Sequence, residues 1–409
     1  MLHKAVRLSY ILLQNYFAWM FLSAIVLLYT KHGWLESSIL PLLIYLVAIF
    51  SPKKKGDFDI LIYLILGLSL ITWIVNDYNN KGLMIFRCLL GQTAFIFAYF
   101  IGKIYNVKFH MDILEKGLLP FSICCIVGIY LYFIPPGWYV EAAAENAGSF
   151  SGSGFLEYFR LRSVFGSPYY ISYFCMLESL YIVYKLVILK IKKTRLLWCY
   201  LFLFLFSLML TMMRAPIVCF LIGTFLIIIY SSFHSKNLMP LFKLVIASVF
   251  LAVLLGMGIG RLDSEQREFL QNKSMSVGDK SSELRKRTDF SIQYDLIGDG
   301  VGRHASYAAE LSDNEVVGDS EYKKIMTEYG YVGLFLISIL LIFAIVKCFV
   351  NLEYLVFEFC CTLALVITMI GADPLSTGNK HCLIFWMIIG YISSFKKRKG
   401  FECSICSNN

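Results

Sequence analysis

"ILIYLILGLSLITWIV", residues 60–75, carries no charged side chain, and "LLWCYLFLFLFSLML", residues 196–210, repeats the pattern. A helix needs about 20 mostly apolar residues to cross a hydrocarbon core ~30 Å thick. Blocks of this kind recur along most of the 409-residue chain. Hydrophobic residues make up 58% of it and charged residues 16%, with a mean hydropathy of +0.68. A soluble domain of ordinary composition holds roughly 45–50% apolar and about 25% charged residues. The blocks therefore predict an all-α polytopic membrane protein.

About twelve spans are predicted, at roughly 10–29, 35–50, 58–76, 83–105, 118–135, 168–189, 196–213, 215–232, 240–260, 330–350, 352–371 and 381–395. The pair around Arg214–Pro216 can also be drawn as one kinked helix. The first apolar block reads as an anchor, not a cleaved signal peptide. No internal repeat stands out, which disfavours inverted-repeat transporter folds.

Lysine and arginine in the short connections set the orientation. With the N-terminus inside, the inner segments carry Lys4, Arg7, Lys53, Lys54, Lys55, Lys103, Lys108, Lys116, Lys185, Lys190, Lys192, Lys193, Arg195, Lys236, Lys243, Lys347 and the tail "KKRK". The short outer turns have only Lys31, Lys81, Arg87, Arg214 and Lys380 in or beside them. Both termini are thus expected in the cytoplasm. N-terminal helices fill 1–135, a first outer loop 136–167 and central helices 168–260. A large outer loop, 261–329, joins the ninth span to the tenth, followed by C-terminal helices over 330–395 and a basic tail over 396–409.

The net charge of +9 comes mainly from clusters at the ends of apolar blocks. Anionic headgroups account for that pattern without nucleic acid. Most of the 12 cysteines sit inside apolar blocks, where a thiol behaves as a small hydrophobe. Cys403 and Cys406 form one C-x-x-C at the tail with no second pair.

Chemistry-bearing residues gather in the outer segments. Arg162 precedes a helix that starts near Pro168, Arg214 interrupts "LMLTMMRAPIVCFL", Arg287 ends "ELRKR", and Arg303 with His304 follows "GDGVG". A guanidinium matches phosphate bidentately and stays charged at every accessible pH. Solvated loop charge is the alternative for Arg162 and Arg287. Arg214 is harder to dismiss, because an ionisable group at membrane depth costs roughly 2.5–3.5 kcal/mol unless paired or hydrated. "DSEYKKIMTEYGYVGLFLI", residues 319–337, sets Asp319, Glu321 and Glu328 around two lysines directly before a span. If helical, it carries Glu321, Lys324 and Glu328 on one face. "GDGVG" is a tight turn whose backbone N–H groups are expected to meet an anion. The outer segments hold no D-x-D pair, and no P-loop or H-E-x-x-H is present, so no metal and no cofactor is expected.

"RSVFGSP" (162–168), "LTMMRA" (210–215), "LIGDGVG" (296–302) and "DSEYKKIMTEYGYVGL" (319–334) occur in an order that resembles the bacterial O-antigen polymerase and O-antigen ligase superfamily. The likeness covers roughly residues 160–340. Ligases of that family begin the last motif with the histidine of H-N-x-Y. Here the position is Asp319, which is more similar to the polymerase branch.

The resemblance implies metal-independent glycosyl transfer between oligosaccharides linked to polyprenyl pyrophosphate, on the outer face of a bacterial cytoplasmic membrane. It implies Arg162, Arg214, Arg287 and Arg303 on the pyrophosphate and Tyr322 on the sugar. Asp319 would be the base, with His304 as a second base and Glu328 in support. The implied partners are membrane lipids, a chain-length regulator and a flippase. Ligase-type transfer of finished glycan, or transport of lipid-linked sugars, are the alternatives.

Overall fold

The computed structural model describes residues 2–19, 21–22, 34–75, 82–104, 108–134, 136, 161, 168–191, 194–211, 213–235, 295–301, 320–370, 372, 374–375 and 381–397. Among them the regular structure is helical, with no strand. In chain order the helices are α1 (Leu2–Gln14), α2 (Trp34–Phe50), α3 (Asp59–Val75), α4 (Gly82–Gly102), α5 (Phe109–Phe133), α6 (Pro168–Val187), α7 (Thr194–Thr211), α8 (Arg214–Ser235), α9 (Glu321–Val350), α10 (Leu352–Thr368) and α11 (Cys382–Ser394). By length and composition, α5, α6, α8 and α9 can each cross a membrane, and shorter apolar helices accompany them. Bulky apolar side chains face outward, among them Ile60, Ile74, Phe202, Phe233 and Val350. Such a surface belongs in hydrocarbon, not water.

Two helices form the centre of the bundle. In α11 every residue except Tyr391 is buried, and α6 is buried over most of its length. Lipid gives apolar helices no hydrophobic drive to associate, so close backbone approach has to hold them. Gly102 of α4 lies against the Met387 backbone, and Gly390 of α11 lies against the Tyr99 backbone. These reciprocal contacts, three residues apart on each helix, make α4 and α11 a tightly apposed pair.

Basic residues from several helices collect at one end of the bundle. There Lys103 pairs with Asp59, whose carboxylate also accepts from Tyr99 (2.7 Å). Lys347 reaches Asp57 (2.5 Å) and the Ser393 carbonyl (2.7 Å). Lys185 pairs with Glu115, which also accepts from Tyr181 (2.6 Å). His110 and Lys108 approach Glu358 at 3.1 and 3.7 Å. Burial alone would lower the pKa of the Lys108 ammonium; the Glu358 carboxylate more than reverses this and holds it above the ordinary lysine range.

Helices α1, α5 and α9 begin earlier than expected, α1 at Leu2 instead of 10, while α7 and α8 are separate helices as expected. Helix α5 begins at Phe109 instead of 118, because the polar residues of "FHMDILEKG" find partners on neighbouring helices. Gln14 donates to Asp112 (3.3 Å) and Lys116 to Gln14 (2.7 Å), alongside the Glu115 and His110 contacts. Helix α9 begins at Glu321 instead of 330, so the charged stretch before the expected span is helical. Near Arg214, α7 ends at Thr211 and α8 starts at Arg214, so two helices stand where one kinked helix was an option.

Candidate functional site

The opposite end of the bundle is organised around the first nine residues of α9. Glu321, Lys324 and Glu328, spaced three and four apart, form one face and are 2%, 4% and 2% exposed. This is the face the spacing predicted, and it points inward. The Glu321 N–H is shared between the Met369 and Ala372 carbonyls (3.1 and 2.9 Å), and its Oε2 accepts from the Leu375 N–H (2.7 Å). One turn of α9 is thereby pinned to the chain leaving α10. Tyr322, expected on the sugar, donates its hydroxyl to the Val366 carbonyl (3.0 Å).

Helicity is interrupted at Gly330, where φ is +70° and ψ −172°. An L side chain there would be strained, and its Cβ would run into the Leu296 carbonyl. Residues 295–301 fill the break. Asp299 and Gly300 donate N–H bonds to the Thr327 and Glu328 carbonyls (2.8 and 3.1 Å). Tyr331 and Val332 in turn donate to the Asp295 and Leu296 carbonyls (3.2 and 3.3 Å). A break exposes carbonyls on one half-helix and N–H groups on the other, and this segment satisfies both sets. The expectation that the "GDGVG" N–H groups meet an anion is corrected for Asp299 and Gly300, whose N–H groups are already engaged.

Leu161 and Arg214 lie at the same end. The N–H of Leu161, the residue before Arg162, donates to the Leu210 carbonyl (3.0 Å) at the close of α7. Arg214 occupies the first turn of α8, is exposed, and forms no ion pair with a described residue. Helix α8 packs along α10, whose end holds Glu321. Arg162, Arg287, Arg303, His304 and Asp319 lie outside the described residues.

Two buried polar side chains went unrecognised as site residues in the sequence. His381, just ahead of α11, is 2% exposed and stacks on Tyr173 with centroids 4.1 Å apart and planes 9° apart. The Pro374 carbonyl lies near the ring, yet neither imidazole nitrogen completes a hydrogen bond with a described residue. Glu178, halfway along α6, is fully buried beside Gly117, and neither carboxylate oxygen has a hydrogen-bond partner among the described residues. A lone histidine in a polar turn gives no periodic signal, so only the fold could single out His381.

Compared with known proteins, the chain matches no family model, and no curated protein resembles it significantly.

Proposed function

We propose that the chain polymerises oligosaccharide repeat units carried on polyprenyl pyrophosphate, acting at the outer face of a bacterial cytoplasmic membrane with about twelve spans and both termini inside. One observation carries this assignment. Described residues in or beside the four segments that resemble polymerase motifs are hydrogen-bonded in two pairs. The 296–302 turn is hydrogen-bonded into the 319–334 segment, and the residue before Arg162 is bonded to the first residue of "LTMMRA". Helix α10 connects the two pairs, packing against α8 and binding Glu321 at its end.

In the proposed reaction the terminal hydroxyl of one lipid-linked unit attacks the anomeric carbon of the other glycan. The new C–O bond forms as the bond to the carrier breaks, the pyrophosphate leaves with the electron pair, and a base takes the hydroxyl proton. Guanidinium groups aimed at the leaving pyrophosphate stabilise its developing charge. Arg214 is the described residue best exposed for that role, with Arg162, Arg287 and Arg303 as further clamps. Asp319 is the proposed base, His304 a second, and Glu328 shapes the site from its buried position.

Glu178 favours transport of lipid-linked sugars as a second reading, since ionisable groups at membrane depth often mark transport paths. The product in a deletion strain separates the possibilities. Single repeat units on the surface are expected for a lost polymerase. Long carrier-linked chains would mean a ligase, and absence of both from the outer face would mean a transporter. Conversion of purified lipid-linked repeat units into a ladder by the reconstituted protein, unchanged by chelator, is the direct measurement.

A further inference from the structure

The imidazole of His381 is held in an unusual way. Its plane lies on the Tyr173 ring at 4.1 Å, Tyr169 stands 5.9 Å away at 43°, and Phe174 closes a third side edge-on at 6.4 Å. These three aromatic residues belong to the first two turns of α6, so they fix the ring's position while leaving its nitrogens without a completed bond to any described residue. A neutral imidazole offers one donor and one acceptor. Leaving a buried polar group unsatisfied costs about 1–3 kcal/mol. An apolar residue of similar shape would avoid that cost.

The ring also belongs to the candidate site. Pro374 and Leu375 link it directly to α9: the Leu375 N–H donates to Glu321 Oε2 (2.7 Å), while the Pro374 carbonyl accepts from Cys382 Sγ (2.8 Å), the residue after His381. One dipeptide therefore has the buried acid on one side and the histidine-bearing turn on the other. Tyr169 is only half-buried, so the aromatic wall reaches the end of the bundle where Arg214 is exposed.

We infer that His381 is a substrate-binding residue whose ring nitrogens, one donating and one accepting, hydrogen-bond separate hydroxyls of the lipid-linked saccharide, against the wall formed by Tyr169 and Tyr173. The identity of the saccharide rests on the polymerase assignment; the lack of a completed bond from the ring to any described residue does not.

Because the ring completes no hydrogen bond with a described residue, its replacement should stabilise the empty protein and disable the working one. His381→Phe and His381→Leu, purified in detergent without substrate, are expected to melt about 2 °C or more above wild type, the size of shift that removing one unsatisfied buried group produces in a large domain. In cells, at matched abundance, both should lower polymer yield at least tenfold, and His381→Gln should recover part of it. Loss of polymer only in proportion to lost abundance, or a lower melting temperature in both variants, would show an internal structural partner and overturn the inference. So would higher stability with full-length polymer. If deleting the whole chain leaves glycan length unchanged, the polymerase assignment itself fails, and the melting shift still decides whether the ring is unsatisfied.

Discussion

The two ends of the bundle use polar groups in opposite ways. At the lysine-rich end, side chains answer side chains: Lys103 meets Asp59, Lys185 meets Glu115, Lys347 meets Asp57, and His110 with Lys108 meets Glu358. At the other end main-chain groups supply many of the contacts. Leu375 N–H holds Glu321, the Val366 carbonyl holds Tyr322, and residues 295–301 complete the broken turn at Gly330. Arg214 and His381 stand outside this framework, one exposed without an ion pair to a described residue and one buried without a completed hydrogen bond to one. Ion pairs spend charge on holding helices together. Backbone scaffolding fixes geometry and leaves side-chain chemistry for another use. Substitutions should therefore lower abundance at the first end and product at the second.

The sharpest break would come from Arg214. Its removal is expected to reduce polymer by about 10²–10³-fold, the usual consequence of losing one preorganised charge partner in a reacting site, with abundance in the membrane unchanged. Arg214→Lys should recover only part, since an ammonium cannot form the bidentate fork. Full-length glycan from Arg214→Ala at wild-type abundance would remove the distinction between the two ends.

Gly330→Ala should come next, and it acts on geometry. The positive φ alone costs an alanine roughly 1–2 kcal/mol, and the clash with the Leu296 carbonyl adds to that. Thermal unfolding should fall by several degrees and polymer should shorten or vanish. Gly67→Ala in α3 is the control, because its Cβ would meet nothing within 4 Å. Equal melting temperatures for the two variants would mean that the 295–301 segment does not brace the break.

At the lysine-rich end, Lys103→Met removes the ammonium paired with Asp59, which is 21% exposed and keeps its bonds from Tyr99 and the Gly56 N–H, and should cost about 1–3 kcal/mol of stability. Glycan length per molecule should stay as in wild type. A second substitution, Asp59→Asn, should return part of the lost stability, as expected when a carboxylate that has lost its cation is neutralised.

Most of the helices were legible because lipid demands long apolar runs, and α2, α3, α4, α6 and α7 fall within a few residues of their expected limits. The inward face of Glu321, Lys324 and Glu328 was legible from spacing alone. What escaped depends on contacts between distant segments. The early start of α5 needs Gln14 and Lys185, and the break at Gly330 needs the carbonyls of Asp295 and Leu296. Glycine is common in membrane helices, so Gly330 carries no local sign that it reverses φ. The bond from Tyr322 to the Val366 carbonyl was hidden for a similar reason: nothing in the charged stretch points to it.

Tyr322 also supplies the smallest and most discriminating measurement. If its hydroxyl serves only to tie α9 to α10, Tyr322→Phe removes one hydrogen bond and should cost about 0.5–1.5 kcal/mol. Product length should not change, and the Val366 carbonyl would be left to the neighbouring backbone or to water. If the same hydroxyl also touches sugar, the loss in turnover will exceed the loss in stability and should appear as a raised KM for the acceptor unit. Melting temperature and KM measured on one preparation separate a brace from a contact. A shift in stability alone keeps Tyr322 with the scaffold, leaving Arg214 and His381 as the described side chains that reach for substrate.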